Sequence, residues 1–323
     1  MSDGQTHRHE DDGVVLVTGA SGFVGRHVMA ALGARAVPLR VRAGDDIDAA
    51  LVRSAACGPV TAVIHLAARA HRMSGDEARD AEAFRRDNAA LTADLAAAAA
   101  DRGIRRFVFL STIGVHGPRP DGVPIGPETP PAPSTAYGHS KLEAERALAR
   151  IASDRGLEPI IVRAPLVYGA GAPGNLARLA SAIERGLPLP LAAIRNRRSL
   201  INVADLAELM VVLVDAATVP PSPLPVADTE AVSTPQIVRT LAVALNRPAR
   251  LVAVPPRILR AVLAAAGRRA MAEQLLGSLQ VDPSAIIETT GWTPRRGLRE
   301  GLSALARARH ADNGSAVVRS GYH

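Results

Sequence analysis

Two side chains in the stretch "YGHSK" stand four residues apart, Tyr137 and Lys141. On a helix that spacing places both on one face. An ammonium held beside a phenol draws the phenol's pKa down, so Tyr137 would give or take a proton at a carbinol or ketone oxygen. Two solvated residues on a surface helix would show the same spacing, so the surrounding sequence has to decide. The pair follows "FVFLSTIGVHG", an apolar run that ends in Ser111 and Thr112. A hydroxyl at that point could hydrogen-bond the same substrate oxygen.

A second group of residues suggests what the proton chemistry is coupled to. In "TGASGFVG", Gly19, Gly22 and Gly25 follow the first apolar run and open an amphipathic segment. A strand-to-helix turn of this kind presents unpaired N–H groups and partial positive charge, and absent side chains let a pyrophosphate approach the backbone. Gly25 would let the helix pack closely on the sheet. A tight turn without a ligand uses the same glycines, but the position at the first strand and first helix favours a dinucleotide. The positive nicotinamide ring of such a cofactor would add to the effect of Lys141 on Tyr137. Arg40 stands about 20 residues on, where the second strand should end near the adenosine ribose. An acidic residue there accepts from a free 2′-hydroxyl. Arg40, with Arg42 beyond it, suits the 2′-phosphate of NADP, although a solvated arginine is the alternative. In "GDDID", Asp46 could accept from the adenine amino group while Ile47 packs on the ring.

The elements that must position these residues alternate along the chain. Val14–Val17, Ala36–Val41, Val60–Ala68, Arg105–Thr112 and Glu158–Ala164 read as strands, with helices at Gly25–Leu32, up to Ala100, and at Tyr137–Ser153. Short continuous apolar runs between amphipathic helices predict an α/β fold, a doubly wound parallel sheet of the Rossmann kind covered on both faces. The seven prolines between Gly117 and Ser134 predict a stiff, non-helical loop. The pattern weakens after Pro165. The expected division is a tail at 1–12, a dinucleotide-binding domain at 13–165, a smaller mixed α/β substrate-binding region at 166–308 and a tail at 309–323, both tails disordered.

Composition sets the outer limits. The 323 residues are 47% hydrophobic and 21% charged, ordinary for a soluble globular chain. Aromatics make up 2%, so Ala, Leu and Val must fill the core. The net charge of +7 is carried mainly by arginines, without a dense basic run interleaved with aromatics, which fits a phosphorylated small molecule better than nucleic acid. Cys57 is the sole cysteine, giving no disulfide framework and no metal-ligand spacing, as in a reducing cytoplasm. The polar N-terminus is not a signal peptide. The apolar stretches Leu206–Val214 and Leu259–Ala266 are too short to span a bilayer, so no membrane insertion is expected.

The motifs "TGASGFVG", "HLAA", "RRFVFLSTIGVHG", "YGHSKLEAE" and "VRAPLVYG" stand in an order and spacing that resembles the extended short-chain dehydrogenase/reductases of the epimerase/dehydratase type, over nearly all of residues 13–305. The resemblance implies hydride transfer at a sugar C4 or similar carbon, with Tyr137 as acid/base, Lys141 orienting the nicotinamide ribose and Thr112, rather than Ser111, polarising the oxygen. It implies NAD(H) or NADP(H) held at Phe23 and Val24 of the glycine motif, at Leu66, Ala67 and Ala68 of "HLAA", and at Asn88. In nucleotide-sugar members, positions matching Asn175, Leu189 and Arg198 surround the UDP. Arg198 could hold the diphosphate through charge-assisted bonds. The tail "GSLQVDPSAIIETTGWTP" is most similar to bacterial O-antigen enzymes that reduce a UDP-4-keto-6-deoxy-N-acetylhexosamine to UDP-N-acetylquinovosamine, with Trp292 packing the last helix.

Three positions depart from the family pattern. His116 replaces the Tyr of "VYG", Leu166 replaces an Asn of UDP-galactose 4-epimerases, and Arg40 replaces their NAD-selecting Asp. The leading expectation is therefore an NAD(P)-dependent UDP-sugar 4-ketoreductase. The alternative is a 4-epimerase of UDP-glucose or UDP-N-acetylglucosamine that retains NAD. A 4,6-dehydratase would need an acidic residue where Ile113 and Gly114 stand. A silent NADP-binding regulator would not need the Thr112, Tyr137 and Lys141 set. By analogy with relatives, a homodimer would pair through Asn88–Asp101 and Tyr137–Ser153.

Overall fold

A computed structural model describes residues 13–70, 77–118 and 122–320. The segment 1–12, expected to be a tail, lies outside the described residues. The first half alternates as expected: β1 (Val14–Thr18), α1 (Phe23–Leu32), β2 (Ala36–Leu39), α2 (Ile47–Ala55), β3 (Val60–His65), α3 (Glu77–Phe84), a π-helical turn at Arg85–Ala90, α4 (Leu91–Asp101), β4 (Arg106–Thr112), α5 (Ala136–Arg155) and β5 (Glu158–Ala164). The second half contains β6 (Leu166–Tyr168), α6 (Asn175–Glu184), β7 (Leu200–Asn202), α7 (Val203–Asp215), β8 (Leu224–Pro225), α8 (Thr234–Ala244), α9 (Pro256–Ala265), α10 (Arg269–Leu276), α11 (Ser284–Thr290) and α12 (Leu298–Ser320).

The main sheet runs β2-β1-β3-β4-β5-β8, every neighbour parallel. Strand β1 shows why both faces must be covered. Val15 and Val17 enter one core with α1 and α7, while Leu16 enters the other with α4 and α5. The β1-to-β2 connection leaves on one side and the chain returns to β3 on the other, so a crevice opens at the carboxyl ends of β1 and β3. Beyond residue 165, α7 and β8 still complete this layer. A third core unites α6, α8 and α12. Among the described residues no helix is long and apolar enough to cross a membrane.

Two expectations need correction. The segment 309–323 was expected to be a tail, but α12 continues through Ser320. Arg309 anchors it, donating to Glu184 at 3.1 and 2.7 Å and to Ser181 at 2.9 Å. Residues 321–323 lie outside the described set. Trp292 is buried, but in the α7 and sheet core, whereas Leu302, Leu305 and Ala306 of α12 belong to the third core. Leu189 forms a single bridge, to Leu251.

Candidate active site at the carboxyl ends of the strands

The glycine turn closes as its sequence requires. Gly19 has φ +66°, and a Cβ there would come within 2.8 Å of the Ala67 amide nitrogen. A Cβ on Gly25 would sit 2.0 Å from the Gly19 carbonyl oxygen. Gly22 caps α1 without any side-chain bond to the first-turn N–H groups. Phe23 and Val24 turn their side chains into the third and first cores, so the turn presents backbone N–H groups at the helix start. A dinucleotide's phosphates fit this cradle of small residues and open donors.

The opposite lip of the crevice is the "HLAA" turn, locked by a buried chain of hydrogen bonds. The Thr92 hydroxyl donates to the Asn88 carbonyl at 2.5 Å, so it accepts from His65 Nε2–H at 3.0 Å. That leaves His65 Nδ1 to accept from the Thr18 hydroxyl at 2.6 Å. Thr18 Oγ1 then accepts from the Leu66 and Ala67 amides, each at 3.1 Å. Burial, then the charge of Lys141, push the His65 pKa down to about 3. The native state thus keeps His65 neutral, while the unfolded chain protonates it near 6.5. The unfolded state binds the extra proton between those values, so stability falls as pH drops through that window. His65→Gln is expected to show a smaller loss than the wild type between about pH 6.5 and pH 4 in urea titrations. Parallel losses would contradict this.

Asn88, expected to meet the cofactor, has a positioning part in the structure. It sits in the π-helical turn, a frequent feature of functional sites. Its Oδ1 accepts from the Arg69 amide at 2.8 Å, and its Nδ2 donates to the Arg69 carbonyl and to Ser140 Oγ at 3.1 and 2.9 Å. Ser140 in turn donates to the Tyr137 carbonyl at 2.9 Å. The crevice wall and the first turn of α5 are therefore tied together.

Helix α5 starts where Thr135 Oγ1 accepts from the Gly138 amide at 3.0 Å. Gly138 presses so close to the turn after β4 that a Cβ would meet the Gly114 carbonyl at 2.8 Å. This packing sets Tyr137 beside the end of β4. Thr112 Oγ1 there accepts from the Gly114 amide at 3.0 Å, leaving its hydroxyl proton to donate outward. Ser111 instead faces the core and donates to Glu145 at 2.5 Å, which assigns the outward hydroxyl to Thr112. Tyr137 meets Phe84 edge to face, with ring centroids 6.1 Å apart. Lys141 is buried with its ammonium 4.1 Å over the Phe109 ring, and His65 stacks on that ring with centroids 5.7 Å apart.

In the chain alone, Lys141 does not pull the phenol toward neutrality. Burial pushes Tyr137 up to about 12. Burial pushes Lys141 down to about 7, against the opposing pull of Glu145. Loss of water is the first cause of both shifts.

Sequence reasoning missed the support below these groups. Glu145 lies one turn after Lys141 and takes Arg163 at 2.6 and 3.2 Å. The Arg163 Nη1 donates to His116 Nε2 at 3.1 Å, and His116 Nδ1–H donates to the Pro130 carbonyl at 3.3 Å. His116, noted above only as a departure, fastens the proline loop to β5. The "SKLEAE" spacing signals that Glu145 shares a helix face with Lys141, but nothing local signals its partner.

The remaining expected residues are spread more widely. Arg40 is exposed just past β2. Asp46 caps α2, accepting from the Ala49 amide at 2.9 Å, and Ile47 packs on the α4 core, so both have folding parts. Ala68 is exposed at the crevice. Asn175 opens α6 and accepts from Arg178 at 2.6 Å. Leu189 is half-buried on the third core. Arg198 donates to the Gly277 carbonyl at 3.0 Å, and burial lowers its pKa from the usual arginine range. Beside it Arg197 reaches Gln280, which donates to the Gly122 carbonyl of the proline loop at 3.1 Å. Among the described residues no group of acidic, His and Cys side chains is placed to hold a metal ion.

Residues 15–224 match the NAD dependent epimerase/dehydratase family. The chain belongs to that family. Its cofactor is accordingly a nicotinamide dinucleotide, NAD(H) or NADP(H), and it is an enzyme of the epimerase/dehydratase kind. Within the family it is 36% identical over 310 residues to a UDP-glucose 4-epimerase of Vibrio cholerae, covering 91% of this chain and 94% of that one. The fold is also that of the UDP-glucuronic acid 4-epimerase of Bacillus cereus solved with NAD, at a TM-score of 0.74, 18% identity and coverage of 92% and 98%. A third likeness is to RMD of Pseudomonas aeruginosa solved with NADPH, at a TM-score of 0.74, 23% identity and coverage of 93% and 99%.

Proposed function

We propose that this enzyme is a 4-epimerase of a UDP-hexose, UDP-glucose or UDP-N-acetylglucosamine, working with a retained NAD. The full-length likeness to the Vibrio cholerae UDP-glucose 4-epimerase carries this reading over the ketoreductase that the sequence alone put first. The site supports it with an outward Thr112 hydroxyl, Tyr137 at the adjoining helix start and a buried Lys141. The bound dinucleotide supplies a hydride acceptor that becomes a donor once reduced. Tyr137 accepts the proton of the C4 hydroxyl while Thr112 holds that oxygen by a hydrogen bond. Tyr137 returns the proton after the 4-keto sugar has turned its other face. Lys141 would hold the nicotinamide ribose, and the cofactor's positive ring would favour the phenolate. In this reading residues 13–165, with α7 and β8, form the cofactor unit. The rest forms the UDP-sugar unit, with Asn175, Leu189 and Arg198 around the nucleotide. A cytoplasmic homodimer paired through α4 and α5 belongs to the same reading.

One experiment separates the two activities. The purified protein is denatured and the supernatant assayed for nicotinamide nucleotide. Stoichiometric NAD supports the epimerase. An empty protein that takes up NADPH in preference to NADH supports the reductase. The reductase keeps one observation, the exposed Arg40 past β2 in place of an acidic residue. If Arg40 receives a 2′-phosphate, Arg40→Asp should weaken NADPH binding by roughly tenfold or more and leave NADH binding unchanged. Arg198→Ala is expected to raise KM for the UDP-sugar roughly tenfold to a hundredfold with a smaller change in kcat, since a partly buried guanidinium contact to a diphosphate is lost. An unchanged KM would remove Arg198 from the site.

A further inference from the structure

Helix α9 presents an apolar face to solvent. Leu259 and Leu263 fix one side of it to the third core. On the opposite arc Ile258 and Val262 are 49% and 59% exposed, one helical turn apart. Ala261 and Ala265 lie on the same exposed arc. Arg257, which is exposed, borders it, and exposed Arg268 follows the helix end. The charge around this face is one-sided over a long stretch. Between Glu230 and Glu273 the chain has seven arginines and no acidic residue. Glu273, the next acidic residue, lies on α10.

We propose that this face docks on an anionic phospholipid surface, α9 lying in the plane of the headgroups with Ile258 and Val262 inserted and Arg257 and Arg268 on the phosphates. An amphipathic helix with an aliphatic face and an arginine border is the form that lies on, rather than spans, a bilayer. Each arginine near an anionic leaflet adds to the attraction. A second copy is a poorer occupant. A two-fold contact would set this face against itself and oppose arginine to arginine. Nucleic acid is poorer too, because the face carries aliphatic side chains and no aromatic ring on which bases could stack. The helix is ten residues long, so this is surface binding and not insertion across the bilayer.

The test is vesicle co-sedimentation of the full chain. Vesicles are phosphatidylcholine alone, or phosphatidylcholine with about one-third phosphatidylglycerol. The protein is expected to pellet with the anionic vesicles, not with phosphatidylcholine, and to be released by about 0.5 M salt. Ile258→Glu/Val262→Glu should lower the bound fraction about tenfold, as should Arg257→Gln/Arg268→Gln, with melting temperature unchanged because all four side chains are exposed. No pelleting, or equal pelleting of both vesicle types, overturns the proposal. Binding that survives Ile258→Glu/Val262→Glu reduces it to general attraction to polyanions and overturns it as well. Loss of a dimer in that variant, without vesicle binding by the wild type, gives the face to a second copy instead.

Discussion

Replacing Tyr137 by Phe is expected to lower kcat by about 10²–10⁴-fold while the protein folds and binds its dinucleotide as before. The hydroxyl is the only atom removed. The chain of bonds that holds α5 runs instead through the Tyr137 carbonyl, Ser140 and Asn88. The Phe84 contact uses the ring and survives. Burial holds the Tyr137 phenol at about 12 in the chain alone, so proton abstraction depends on positive charge close by. Turnover in Tyr137→Phe that stays within a factor of a few of the wild type would remove Tyr137 from the chemistry.

The largest effect on stability is expected at Glu145. It is 4% exposed, its partner Arg163 is equally buried, and each oxygen of the carboxylate meets the guanidinium. Glu145→Ala leaves a buried arginine without its counter-charge, a change worth about 3–5 kcal/mol. It also removes the acceptor of Ser111, next to Thr112, and the acidic group one turn from Lys141. Urea denaturation should show a lower midpoint with the slope retained. Replacing both partners by apolar residues, Glu145→Leu with Arg163→Met, should cost less than the single change, because no charge is stranded. A single variant as stable as the wild type, or a double variant worse than the sum of its parts, would contradict this account of the pair.

The parts of the fold that sequence made legible are those with local signals. The glycines of "TGASGFVG" announce a turn that admits no Cβ at Gly25, and the apolar runs announce a sheet buried on both faces. The spacing of Tyr137 and Lys141 announces one helix face. What stayed hidden depends on distant partners. Thr18 and His65 are 47 residues apart, and Arg163 and His116 are likewise 47 apart. Neither pairing leaves a periodic trace. Asn88 was found by resemblance, but its bonds to Arg69 and Ser140 were not. The end of the chain was misjudged because "SALARARHADNG" carries little apolar patterning. Ala and Arg favour a helix there without it, and the Arg309 to Glu184 pair anchors it across 125 residues.

Epimerisation at C4 by Tyr137 and Thr112 with a retained dinucleotide needs no added cofactor. The direct measurement is to incubate the purified enzyme with UDP-glucose, and separately with UDP-N-acetylglucosamine, adding no cofactor or reductant, and to follow the sugar by proton NMR. One of them is expected to convert to an equilibrium mixture with its C4 epimer, and Tyr137→Phe to leave it unconverted. No conversion of either sugar by an NAD-loaded wild-type enzyme, with turnover of a 4-keto sugar only when NADPH is added, would contradict it.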